Sequence, residues 1–379
     1  MRGTEHRPLD REPLGVRGDG ARGARDVGTR ARGARVRGRL TVLIGVLVSV
    51  ALLVWALRDV SAAELLRHLG EANVWLLIAA TVVATLTFNL RAIRWDILLR
   101  ASNGHLPFGS RYAAVCIGFM ANNVLPGRLG EFARAYSLSR ITPVPLSAAL
   151  ASLVVERLLD AIVLMVFLVP AFFIVGVDEA ASGTLRDLFT VGVILVSASL
   201  LALALLVRSP DRFLRLAATW FHRVAPDRVA DRVMDVLSAF VDGLGALRHA
   251  HVFARAMLWS FAVWAWNAFS FFLGFLAFGI LTPGFLGALV LQTTISFAVA
   301  IPSTPGFFGP FETAARVALE LHHIEPARII SFAAGYHILT FLPITVLGIW
   351  YMRRLGISRK EFGRGKPPAP ETSPPETSA

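Results

Sequence analysis

Six apolar stretches, residues 40–57, 74–90, 146–177, 188–207, 256–280 and 329–352, reach or approach the length needed to cross a bilayer. A spanning helix needs about 20 apolar residues, because the hydrocarbon core is roughly 30 Å thick and a helix rises 1.5 Å per residue. Two further stretches, 112–125 and 284–301, are marginal. The first runs into Pro126-Gly127, the second into Pro302 and Pro305-Gly306. With 55% hydrophobic and only 17% charged residues, the chain lacks the polar surface of a soluble domain. Cys116 is the only cysteine, which excludes a disulfide framework. The pattern predicts an all-α integral membrane protein.

Arginine placement discriminates between two topologies. If all eight stretches cross and the N-terminus is cytoplasmic, residues 208–255, with eight arginines, face outside. The acidic loop of Asp178, Glu179 and Asp187 then faces the cytoplasm, the reverse of the usual bias. If the two marginal stretches are re-entrant hairpins returning to the side they enter, both loops change sides and both termini are cytoplasmic. The preferred reading is therefore six full spans plus two re-entrant Pro/Gly hairpins.

The net charge of +12 belongs mostly to the tails. Residues 1–39 hold eleven arginines against five acids, with little to bury, and read as a disordered cytoplasmic arm. No aromatic residue interleaves those arginines to stack bases. Attraction to anionic headgroups is thus preferred over nucleic-acid binding, and no nucleic-acid partner is expected. Residues 353–379 form a Pro/Ser/Thr/Glu-rich cytoplasmic tail. Between the tails lies a membrane domain, 40–352, with a cytoplasmic loop at 208–255. In that loop Val229, Val233, Val236, Phe240, Leu244 and Leu247 recur at helical spacing after Pro226-Asp227. The resulting amphipathic helix suits the inner leaflet or, as an alternative, a protein partner.

A short motif recurs. Pro126-Gly127-Arg128-Leu129-Gly130-Glu131-Phe132 and Pro305-Gly306-Phe307-Phe308-Gly309-Pro310-Phe311 share P-G-x-x-G-x-F, 179 residues apart. At the same offset Ser152 overlies Ser331 near the start of the next apolar helix. In the preferred topology the copies have opposite orientations, an inverted internal repeat. Such repeats with broken helices build midplane sites that open to each side alternately. Backbone groups freed at the breaks must line protein or a wet cavity, which makes Pro126, Gly127, Gly130, Pro302, Pro305, Gly306 and Gly309 the expected hairpin breaks.

Charged residues inside apolar sequence form the candidate site: Arg91, Arg94, Arg128, Glu131, Arg134, Glu156, Arg157 and Asp160. Glu156 and Asp160 share a helical face, as do Glu131 and Arg134. An ionised group at mid-bilayer costs about 2.5–3.5 kcal/mol on insertion scales. Three readings stay open: clamping between helices (Arg128 or Arg134 against Glu156 and Asp160), placement at headgroup level, or contact with substrate. Arginine binds phosphate through a bidentate fork, so an anionic phospholipid is the natural ligand. His337 reads as a core histidine bonded to a neighbouring helix, with a proton relay as the alternative. No metal site or cofactor is expected.

Three motifs, N-N-x-x-P-G-R-x-G-E-x-x-R at 122–134, E-R-x-x-D at 156–160 and P-S-x-P-G-x-x-G-x-x-E at 302–312, resemble the lysylphosphatidylglycerol synthase transmembrane (flippase-like) family. That family also forms the membrane half of bacterial multiple peptide resistance factors. The resemblance covers about residues 40–352. It implies a multi-pass protein of the bacterial inner membrane that binds or moves lipids, with Asn122, Asn123 and Glu312 joining the charged residues along the lipid path. Full-length synthases carry a soluble aminoacyltransferase domain after the membrane part. This sequence ends in a low-complexity tail, so lysyl transfer is not expected. A membrane-embedded enzyme using Glu131, Glu156 or Asp160, or a scaffold for a separate lipid-modifying synthase or glycosyltransferase, are the alternatives.

Overall fold

The computed structural model describes residues 43–125, 129–174, 208–244, 250–300 and 304–358, with isolated positions 194, 197 and 201. The 1–39 arm, most of the 188–207 stretch, and Pro126, Gly127, Arg128 and Pro302 lie outside the described residues. Every regular element among the described residues is helical.

The chain begins with α1 (Leu43–Leu57), which bends by 80° into α2 (Ala62–Glu71). A capping box starts α2: Glu64 N–H donates to Ser61 Oγ at 3.2 Å, and Ser61 N–H donates to Glu64 Oε2 at 3.3 Å. Then follow α3 (Val74–Asn103), α4 (Phe108–Val124), α5 (Gly130–Ile141) and α6 (Leu146–Ile174). Two polar-faced helices, α7 (Pro210–Val224) and α8 (Asp227–Leu244), come next. The last group is α9 (Ala250–Ala277), α10 (Gly284–Ala298), a 3-10 turn at Pro305–Phe307, α11 (Pro310–Glu320) and α12 (Pro326–Arg354).

Three of these helices are long and apolar enough to cross a membrane: Val74–Arg100 within α3, Ala250–Ala277 and Pro326–Arg354. The bent α1–α2 pair is a fourth candidate. At 29 residues α6 is long enough as well, and it differs in carrying Glu156, Arg157 and Asp160. In contrast α4 and α10, with 17 and 15 residues, reach only about 26 and 22 Å, short of the hydrocarbon core. The apolar run of the second stretch stops at residue 90, yet α3 continues to Asn103. The helix carries both arginines into the bundle, where Arg94 is paired with carboxylates and Arg91 lies against aromatic rings.

Helix lengths follow a pattern. Helices α3 to α6 run 30, 17, 12 and 29 residues; α9 to α12 run 28, 15, 11 and 29. Each group packs in series, and the groups interlock: α3 lies along α9, α4 packs on α12, and α6 packs on α10. The α4–α12 contact is made at Gly348, where a Cβ would stand 2.2 Å from Met120 Cβ. Close backbone approach through small residues is how membrane helices associate, since lipid supplies no hydrophobic drive between them. One apolar cluster holds Phe271, Phe275, Phe311, Phe332 and Tyr336; another holds Trp95, Leu99, Leu138, Leu153 and Leu159.

The predicted amphipathic helix after Pro226 is present as α8, which packs on α6. Its neighbour α7 packs on α8 and buries none of its residues, leaving Leu216 73% and Trp220 59% exposed.

Candidate functional site: a buried arginine cluster

Three helices, α3, α5 and α9, converge on the charged residues of α6. Ser152, Glu156 and Asp160 recur every four residues, so one face of α6 presents all three. From α3, Arg94 is fully buried and donates through Nη1 to Asp160 Oδ1 and, at 3.0 Å, to Ser260 Oγ; its Nη2 lies 3.0 Å from Glu156 Oε1. From α5, Arg134 grips Glu156 with both prongs, Nη1 to Oε1 at 2.8 Å and Nη2 to Oε2 at 3.0 Å. Its guanidinium lies 4.0 Å from the centre of the Trp95 ring, and Trp95 is fixed by an Nε1–H bond to Ser152 Oγ at 2.8 Å. From α9, Trp264 Nε1–H donates to Asp160 Oδ1 at 2.8 Å.

The other two arginines are held differently. Arg91 lies between the Phe119 and Trp264 rings at 5.3 and 5.2 Å. Its Nη1 is 3.8 Å from Asp160 Oδ2 and has no hydrogen-bond partner. Arg157 Nη2 donates to Glu156 Oε1 at 3.0 Å and stands 3.4 Å from Asp160 Oδ2, yet 44% of its side-chain surface remains accessible. Glu131 is half-buried near Arg157 and has no ion pair among the described residues.

Four arginines therefore share two carboxylates. Arg134 pairs with Glu156 across α5 and α6, as the clamping reading has it; the partner of Asp160 is Arg94, which that reading did not name, and Arg128 lies outside the described residues. Arg94 and Glu156 are both fully enclosed by helices.

The remaining candidates sit elsewhere. Asn122 Oδ1 accepts from Gly130 N–H at 2.8 Å, closing the first break. A Cβ on Gly130 would stand 2.3 Å from that Asn122 side chain, so a larger residue would displace the amide from this bond. Asn123 Nδ2 donates to Thr345 Oγ1 at 2.8 Å, joining α4 to α12. In the second half Glu312 accepts from Gly309 N–H at 2.6 Å and pairs with His337 Nδ1 at 2.9 Å, while Phe311 stacks on the imidazole at 4.1 Å. His337 is thus bonded to a neighbouring helix. Pro305 opens the 3-10 turn, and Gly306 and Gly309 take φ of 77° and 97°.

Sequence reasoning missed Ser260 and Trp264, whose i, i+4 spacing puts a hydroxyl and an indole N–H on one face of α9. It also missed Arg316, buried on α11. Arg316 Nη1 donates to Ala56 O at 2.6 Å, Nη2 to Asp59 Oδ2 at 2.8 Å and Nε to Glu320 Oε1 at 2.6 Å. Its i, i+4 partner Glu320 was the available signal; the reach to α1 was not. Among the described residues no three His, Cys, Asp or Glu side chains gather as a metal ion would require.

Apolar helices of bilayer length around enclosed, paired charges define a helical integral membrane protein. Within that class the chain belongs to the lysylphosphatidylglycerol synthase TM region family, whose profile matches residues 42–348. The chain is 27% identical over 355 residues to a protein named glycosyltransferase AglD of Haloferax volcanii, covering 84% of this chain and 55% of that protein. It thus spans about half of that relative's length. It is 24% identical to a UPF0104 membrane protein, PH1989, of Pyrococcus horikoshii, covering 82% of this chain and 94% of that one. A UPF0104 membrane protein of Methanothermobacter thermautotrophicus is also 24% identical, with 86% and 97% covered. No solved structure matches the chain.

Proposed function

We propose that the protein binds an anionic phospholipid or related lipid and moves its headgroup between the leaflets of the bacterial inner membrane, without catalysing a reaction. The observation that carries this reading is the excess of arginine over carboxylate inside the helix bundle. A bundle that needed only clamping has no use for surplus cations, and a buried one such as Arg91 is costly to hold away from water.

The paired helix groups support the transport half of the proposal. Lengths and packing partners in α3–α6 recur in α9–α12, and each short helix pair meets at a glycine-bearing break, which suits six spans, two re-entrant hairpins and an inverted repeat. In that arrangement α7 and α8 lie at the cytoplasmic face, with Leu216 and Trp220 on the inner leaflet. Both termini share the cytoplasmic side.

The name of the Haloferax relative favours a second reading, in which the protein serves or contains a lipid-modifying glycosyltransferase activity. Against an acid–base role, Glu156 and Asp160 are already engaged by arginines and Trp264. Translocation of fluorescent lipids in proteoliposomes tests the proposal. Protein-dependent movement of anionic lipids supports it; equal rates with and without protein, across several anionic lipids, refute it.

A further inference from the structure

We infer that Arg91 and Arg157 form a binding site for a phosphomonoester or diphosphate headgroup, carrying two negative charges, in preference to a phosphodiester. The assignment deepens the lipid-handling reading above and rests on it.

The four arginines are not equivalent. Arg94 and Arg134 are committed: Arg94 reaches both carboxylates and Ser260, while Arg134 holds Glu156 with both prongs and lies over Trp95. Pairing Arg94 and Arg134 with Glu156 and Asp160 leaves two positive charges over.

The surplus arginines converge on one point. Arg91 Nη1 and Arg157 Nη2 lie 3.8 and 3.4 Å from the same oxygen, Asp160 Oδ2, both too long for a strong charge-assisted bond; the one hydrogen bond Arg157 Nη2 makes goes to Glu156 Oε1 at 3.0 Å, an oxygen that Arg94 and Arg134 also share. Those two nitrogens can therefore be no farther apart than the two distances laid end to end. A single phosphate spans such a gap, accepting from both forks at about 2.8 Å.

Two features point the pair at a ligand. Arg91 is 6% exposed, and its Nη1 has no partner, a costly condition for a buried guanidinium donor. Arg157 keeps 44% of its side-chain surface accessible, so an incoming anion can reach it. The Phe119 and Trp264 rings lie against Arg91 and shield it from water, which strengthens its attraction for an anion. A phosphodiester satisfies one surplus charge; a phosphomonoester or diphosphate satisfies both.

Binding to the full-length protein in nanodiscs decides the matter, with three probes: phosphatidic acid as the lipid phosphomonoester, phosphatidylglycerol as the lipid phosphodiester, and inorganic phosphate as the free dianion. The expected result is at least tenfold tighter binding of phosphatidic acid than of phosphatidylglycerol at pH 8. Because a phosphomonoester takes up its second proton near pH 6, that preference should shrink several-fold at pH 5.5 in the unmutated protein. In R91Q and R157Q the preference should fall to about onefold. The pH arm keeps the test informative if either variant fails to fold.

Equal binding of the two lipids overturns the assignment while leaving transport of anionic lipids standing. Inorganic phosphate competing at the same concentration as phosphatidic acid overturns the headgroup assignment in favour of a free-phosphate site. Binding of neither lipid, together with no translocation, sinks the lipid reading itself.

Discussion

Replacing Glu156 with glutamine removes the anion on which three arginines converge. Its Oε1 alone receives Arg134 at 2.8 Å and Arg94 and Arg157 at 3.0 Å, and Oε2 takes the second prong of Arg134 at 3.0 Å. Glu156 and Arg94 are wholly enclosed and Arg134 nearly so. Breaking a buried pair by removing one partner costs about 3–5 kcal/mol, because the other charge stays buried and uncompensated. E156Q should lose that much stability, or fail to accumulate. Removing both partners is gentler: E156Q/R134Q should recover about 1–3 kcal/mol, the coupling typical of residues in one network. Trp95 supplies the readout, since Arg134 lies against its ring and tryptophan fluorescence can follow unfolding in detergent. An E156Q protein with an unchanged midpoint, or a double variant showing simple additivity, would refute the claim that this cluster holds α3, α5 and α6 together.

Three other outcomes are expected. G309A should destabilise the protein by more than about 2 kcal/mol or prevent folding, since Gly309 has φ 97° and an added Cβ would stand 2.3 Å from Ser49 O. The control G70A, on α2 with nothing within 4 Å, should be neutral or stabilising by up to about 1 kcal/mol in the same melt. R316M should free the C-terminal end of α1 from Arg316's bonds to Ala56 O and Asp59, visible as faster proteolysis at the α1–α2 elbow than in the parent. At that elbow Arg316, then Arg58, hold the Asp59 carboxyl below its ordinary value of 3.8 by hydrogen bonding. The stability from this pairing is therefore complete above the unfolded value and lost as pH falls below it. The Tm gap between parent and D59N should stay constant above about pH 5 and close toward pH 3.

The helices were legible where composition alone decides them. Long apolar stretches became α3, α6, α9 and α12, and the Pro/Gly breaks bounded helices too short to cross. The amphipathic loop was legible from its three- and four-residue spacing. Elements that depend on short polar signals were not: α2 follows from the Ser61–Glu64 capping box, which the apolar scan passed over. Within the site, Glu156, Asp160 and Arg134 stood out because charge in an apolar stretch is costly and must be paired. Ser260 and Trp264 did not, because a hydroxyl and an indole pass unnoticed in an apolar helix, and their partners lie 166 and 104 residues away. Arg316 was hidden similarly, since nothing near it in sequence announces carbonyls 260 residues earlier.

Oppositely oriented halves are the premise on which two-sided access to the arginine cluster depends. Single cysteines placed in a Cys116→Ala background, at Thr219 on α7 and at Ser238 on α8, can be probed in intact cells with a membrane-impermeant thiol reagent. Labelling only after the membrane is opened is the predicted result and puts 208–244 in the cytoplasm. Labelling in intact cells would put α7 and α8 outside, give both halves the same orientation, and contradict the account.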